Sequence, residues 1–209
     1  MEALIRWFHR PAAWSPPRTS SRWPSDPAHR ADRALVLQEA CRQAATWRAQ
    51  YPQAVHLTVN VNVAGRQLRL PHFTDEVAQV LAETGLPASC LSIEVTETAV
   101  LDDQESLDAL LRLRQLGIRL ALDDFGTAAS SLGLLLTCPV TTLKLDRSFV
   151  ESITTVGRQA AVATAVSQMA TALEFASVAE GIETQEQCIL LKNLATSTGR
   201  VTCSPGRTR

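Results

Sequence analysis

Apolar and polar residues alternate over 57–63, with Leu57, Val59, Val61 and Val63 apolar and Thr58, Asn60 and Asn62 polar. That period of two predicts a strand with one face in a core. The pattern then changes. Residues 73–84 read as a helix that stops at Gly85, since glycine takes the left-handed backbone closing a helix without steric cost. Leu91, Ile93 and Val95 mark a second strand. Residues 103–116 read as a helix with Leu107, Leu110 and Leu111 on one face, closed by Gly117. Ile118, Leu120 and Leu122 form a third strand, and residues 142–145 a short fourth. An alanine-rich helix over 158–173 precedes a fifth strand over 175–179. Thr184, with Gln187 three residues on, is a capping box that opens a further helix. Strands alternating with helices imply α/β architecture with a parallel sheet. Successive units of roughly 30 residues fit a TIM-like (β/α) barrel better than an open nucleotide-binding sheet.

Two segments break this grammar. Residues 10–33 carry Pro11, Pro16, Pro17, Pro24 and Pro27 among Arg, Ser and Trp, a density that excludes long helices and strands. Residues 195–209 are polar and patternless. Both read as irregular segments of a single domain.

Length and composition narrow the class. The 209 residues fall short of the roughly 250 of a typical barrel. A net charge of −1 suggests neither nucleic-acid nor membrane attraction. Apolar runs are far shorter than the roughly 20 residues needed to span a bilayer, and the N-terminus lacks the features of a signal peptide. Five cysteines, odd in number and without a C-x-x-C pair, fit a reducing cytoplasm.

Polar residues sit at the ends of the strand patterns. Asn62 ends the first, Glu94 lies in the second with Glu97 after it, and Asp123 and Asp124 end the third. Lys144 lies in the fourth, and Glu180 follows the fifth with Glu183 behind it. In a (β/α) barrel these ends converge on the rim where active sites form. Carboxylates gathered there repel one another unless cations sit among them. Oxygen donors without histidine or cysteine suit hard ions such as Mg²⁺ or Mn²⁺. Adjacent aspartates can serve two metals roughly 3.5–4 Å apart, an arrangement for in-line attack on phosphorus. Each feature alone has a plainer reading: an Asp-Asp turn, a surface glutamate, a solvated lysine. A serine hydrolase would need a G-x-S-x-G elbow and a partner histidine, and no such triad is visible.

Taken in order, these residues resemble one family, the EAL domain. Glu2-Ala3-Leu4-x-Arg6-Trp7 matches its signature, and Val61-Asn62-Val63-x-x-Arg66-Gln67-Leu68 its asparagine-bearing strand. Glu94-Val95-Thr96-Glu97, Asp123-Asp124-Phe125-Gly126-Thr127, Lys144-Leu145-Asp146 and Ala179-Glu180-Gly181-Ile182-Glu183-Thr184 match four further motifs. The resemblance implies a cytoplasmic cyclic di-GMP phosphodiesterase that makes linear pGpG with two divalent metals, Mg²⁺ or Mn²⁺, and can form a homodimer. It assigns Glu2, Asn62, Glu94, Asp123 and Asp124 to the metals. It makes Lys144 the residue that positions water, Glu180 a base or metal partner, and Leu4 and Arg6 substrate contacts. It gives Glu97 and Glu183 the ordering of the neighbouring loop.

Departures from the family pattern imply an incomplete copy. The strand that precedes the EAL motif is absent, Ala128-Ala129 replaces a Gly-Tyr pair, and the C-terminal Q-G-Y motif is missing. Shifted reading frames within 10–33 and 195–209 can restore family-like peptides, which points to frameshifts. Codons incompatible with those peptides would overturn that reading. A degenerate module that binds without turnover, or a gene fragment, stand as the alternatives to an active enzyme.

Overall fold

The computed structural model describes residues 28–101, 103–125, 132–152, 157–194 and 201–205. Six parallel strands form one sheet in sequential order: β1 (Val59–Asn62), β2 (Leu91–Thr96), β3 (Arg119–Phe125), β4 (Thr142–Leu145), β5 (Ala176–Ile182) and β6 (Val201–Pro205). Each consecutive pair is joined through helical sequence, the connection that parallel pairing requires.

The helices are α1 (Ala28–Gln50), α2 (Gly65–Leu68), α3 (Phe73–Thr84), α4 (Glu97–Val100), α5 (Gln104–Gln115), α6 (Leu132–Thr137), α7 (Arg147–Ser152), α8 (Arg158–Ala172) and α9 (Gln185–Leu194). The predicted punctuation is realised. Gly85 and Gly117 take φ of 67° and 87° after α3 and α5. Thr184 and Gln187 exchange bonds at the start of α9, with Thr184 N–H donating to Gln187 Oε1 at 3.0 Å and Gln187 N–H to Thr184 Oγ1 at 3.2 Å.

The core runs between sheet and helices. Five of the six residues of β2 are buried, as expected of a parallel strand covered on both faces. Leu91, Ile93, Leu120, Leu122 and Leu143 have no accessible surface. On α5 the buried face is Ser106, Ala109, Leu110 and Leu113, whereas Leu111 is 44% exposed. The predicted stripe is therefore rotated, because Leu111 faces away from the sheet.

Two boundaries are corrected. The irregular segment assigned to 10–33 gives way to α1 at Ala28, directly after the last of its prolines. Leu37, Ala40, Cys41 and Ala44 recur at helical spacing and are buried, but arginines and alanines dilute the stripe in the sequence. The irregular tail 195–209 contains β6, which pairs with β5 through Ser177↔Val201, Val178↔Thr202 and Ala179↔Cys203. Backbone pairing at an otherwise open edge needs no apolar alternation, so the pattern could not reveal it. No helix among the described residues is long and apolar enough to cross a membrane.

Candidate active site at the strand ends

Parallel register brings the polar strand ends together. Asn62 of β1 lies opposite Glu94 of β2, and Thr96 of β2 opposite Asp123 of β3. Val63 N–H donates to Glu94 O at 2.8 Å, carrying the pairing one residue past Asn62. Asn62 itself is exposed.

Lys144 on β4 is the centre of the arrangement. Its Nζ lies 2.8 Å from Glu94 Oε2 and 3.1 Å from Asp123 Oδ1. Lys144 is 4% exposed and Glu94 1%. The lysine thus reaches from β4 past β3 to β2. Burying an ion costs several kcal/mol, so a buried lysine set between two carboxylates is an arrangement that each member requires of the others. Glu94 Oε1 is also buried, without a hydrogen-bond partner among the described residues.

The backbone is irregular where the aspartates stand. The β3–β4 register shifts between Leu122 and Phe125, and Asp124 has φ of 54°. Aspartate tolerates this left-handed conformation, and such a bulge re-aims the side chains it carries. Asp123 Oδ1 accepts the Asp124 N–H at 3.1 Å as well as the lysine, which pins that carboxylate. Asp124 is exposed.

A second irregularity lies on β5. Glu180 falls inside this strand, one residue beyond where its sequence pattern stops, and the register with β6 shifts between Ala179 and Ile182. Gly181 has φ of +74°, and a Cβ there would stand 2.7 Å from Cγ of Arg147. Sequence reasoning missed Arg147. It pairs with Glu183 at 2.7 Å and with Glu151, and the Glu151 hydrogen bond, followed by the charge of Glu183, raises its pKa. The available signal was its position three residues after Lys144. Both members of the Arg147–Glu183 pair are half-exposed, so its contribution is orientation more than energy. Glu97 is buried at the start of α4. Glu2, Leu4 and Arg6 lie outside the described residues.

The structure therefore brings Glu94, Asp123 and Lys144 into contact and sets Asn62 beside them. Among the described residues, no group of three His, Cys, Asp or Glu side chains is close enough to hold a metal. The donor chemistry of Asn62, Glu94, Asp123 and Asp124, oxygen throughout, fits a hard divalent cation.

A model of the EAL domain matches residues 1–199. The chain belongs to the EAL domain family. An uncharacterized signaling protein of Caulobacter vibrioides is 40% identical over 91% of this chain and 23% of its own length. The cyclic di-GMP phosphodiesterase NbdA of Pseudomonas aeruginosa is 36% identical over 92% of this chain and 24% of its own. The chain thus spans about a quarter of these relatives. Among solved structures, the cyclic di-GMP complex of the PaMucR phosphodiesterase superposes with a TM-score of 0.73 at 34% identity, covering 80% of this chain and 67% of that one. The manganese and cyclic di-GMP complex of Klebsiella pneumoniae BlrP1 gives 0.67 at 30% identity, covering 78% and 42%. The fold of this EAL domain is accordingly the TIM-like (β/α) barrel type that the sequence implied.

Proposed function

We propose that this EAL domain binds cyclic di-GMP and hydrolyses it to linear pGpG. The observation that carries the reading is Lys144, buried between Glu94 and Asp123 at the ends of three adjacent strands. Buried charged groups paired in this way cluster at functional sites. Asn62, Glu94, Asp123 and Asp124 would hold divalent cations, Mg²⁺ or Mn²⁺, with Glu2 added from the N-terminal segment. A bound divalent ion lowers the pKa of its water and offsets charge on phosphoryl oxygens. The protein's own groups then act around the scissile bond. Lys144 holds its proton on Nζ and orients the attacking oxygen, and Glu180 accepts the proton that this oxygen loses. Arg6 presents a guanidinium to a substrate phosphate beside Leu4. Glu97 and Glu183 hold the segments that flank the aspartates.

A second reading, binding without turnover, is favoured by Ala128-Ala129 where the family has Gly-Tyr. Turnover of cyclic di-GMP by the purified chain, with Mg²⁺ or Mn²⁺ and a Glu180→Ala control, separates the two. Linear pGpG from the parent alone, suppressed by EDTA, is the expected result. Soluble, folded protein that yields no pGpG but saturates with cyclic di-GMP would replace the first reading with the second.

A further inference from the structure

Asn62 and Glu94 stand opposite each other on β1 and β2. The chain beyond Asn62 is then fastened, point after point, to the chain beyond Glu94. The first link is backbone: Val63 is buried, and its N–H donates to Glu94 O at 2.8 Å. Helix α2 follows at once and is closed on itself, with Ala64 N–H donating to Gln67 Oε1 at 3.0 Å and Gln67 N–H to Ala64 O at 2.8 Å. This turn packs on α4 and α5. At Gly65 a Cβ would stand 2.8 Å from Ala99 O and 3.1 Å from Ala99 Cα, so the absence of a side chain is what lets α2 touch the backbone of α4.

The last link is electrostatic. Arg69, the C-cap of α2, donates from Nη1 to Asp103 Oδ2 at 2.8 Å, across 34 residues of chain. Asp103 is the N-cap of α5, and its carboxylate is already fixed there. The same Oδ2 accepts from Ser106 Oγ at 2.6 Å, and Oδ1 accepts from Ser106 N–H at 3.5 Å. The Ser106 hydroxyl first, and Arg69 second, hold the Asp103 carboxyl below its usual range. Asp103 is thus an anchored anion, and Arg69 is the arm that reaches it. The arginine is half-exposed, and such a pair adds little to global stability. Its action falls on the geometry of the elements it joins, which are the segments following Asn62 and Glu94. We propose that the Arg69–Asp103 pair is a strap that keeps Asn62 seated opposite Glu94, which makes Arg69 a positioning residue for the oxygen donors at the strand ends. The consequence for metal binding rests on Asn62 being a cation ligand, as proposed; the strap does not.

Hydrogen exchange of the Val63 amide in the whole chain, followed by NMR in EDTA, reads the strap without metal or substrate. Opening of the Val63–Glu94 bond is the motion by which Asn62 leaves Glu94. Arg69→Gln is expected to speed this exchange by at least about 3-fold. Arg69→Lys should restore the parent rate, since an ammonium can still meet one carboxylate oxygen. Leu120 and Leu122 should keep the parent rate in both variants. An unchanged Val63 rate in Arg69→Gln would overturn the proposal by making the pair idle. Equal acceleration at Val63, Leu120 and Leu122 would overturn it by making the pair a general stabiliser. Mn²⁺ titration followed by electron paramagnetic resonance addresses the metal separately. Arg69→Gln should weaken Mn²⁺ binding in the parent but have no further effect beside Asn62→Ala. Equal weakening in both backgrounds would overturn positioning through Asn62. A parent chain that takes up no Mn²⁺ would remove the metal reading of Asn62, and the exchange rates would still decide the strap.

Discussion

At the scale of single residues, Lys144 shows how burial changes the meaning of a side chain. In the sequence it is one lysine in a short apolar strand. In the structure it is almost inaccessible and joins carboxylates from two other strands. Lys144→Met removes the ammonium and leaves Glu94 in the core. The expected loss is about 3–5 kcal/mol in urea denaturation. Adding Glu94→Leu should recover much of it, since an apolar replacement of a buried pair is often near neutral. A Lys144→Met loss below about 1 kcal/mol would show that the pair is solvated. The buried thiols allow a pH prediction. Burial pushes Cys41 and Cys138 from 9.0 up to about 11. A raised folded pKa means that the unfolded chain releases these protons first. Stability is therefore fully present below about pH 9 and falls as pH rises from 9 to 11. Denaturation midpoints at pH 8 and pH 10.5 measure it, and Cys41→Ala with Cys138→Ala should flatten the difference.

At the scale of elements, the legible parts of the sequence were those with local causes. Helix α3 ends where Gly85 says it should, because the left-handed turn with φ of 67° is a property of one residue. Gly85→Ala should cost about 1–2 kcal/mol for that conformation, read from the thermal midpoint. Helix α9 opens on a reciprocal cap that Thr184 and Gln187 specify by spacing alone. Thr184→Ala should cost about 1 kcal/mol, with Thr184→Ser nearly silent in the same melt. Elements with non-local causes were not legible. The apolar face of α1 is made of alanines, a cysteine and one leucine, and it becomes a face only against α3 and β1. Strand β6 exists because β5 offers an edge to pair with. Leu111 was assigned to the buried face of α5, but which side of a leucine-rich helix meets the sheet is decided by the sheet.

At the scale of the molecule, sequential strand order means that most pairing partners are close in the chain, with β2 and β3 held from both sides. Amide exchange should follow this. Ile93, Val95, Leu120 and Leu122 are expected to exchange only with global unfolding, while amides of β1 and β6 exchange earlier. Uniform protection across the sheet would contradict that order. The sequence by itself determined the alternation of strands and helices, the parallel sheet that follows from it, and the family, because period, caps and ordered motifs are written in neighbouring residues. It also named Asn62, Glu94, Asp123, Asp124, Lys144 and Glu180 as the polar residues of the strands. Only the tertiary structure decided which of these meet. Glu94 and Lys144 are 50 residues apart in the chain and 2.8 Å apart in space. The contact depends on the register of three strands and on the bulge at Asp123 and Asp124.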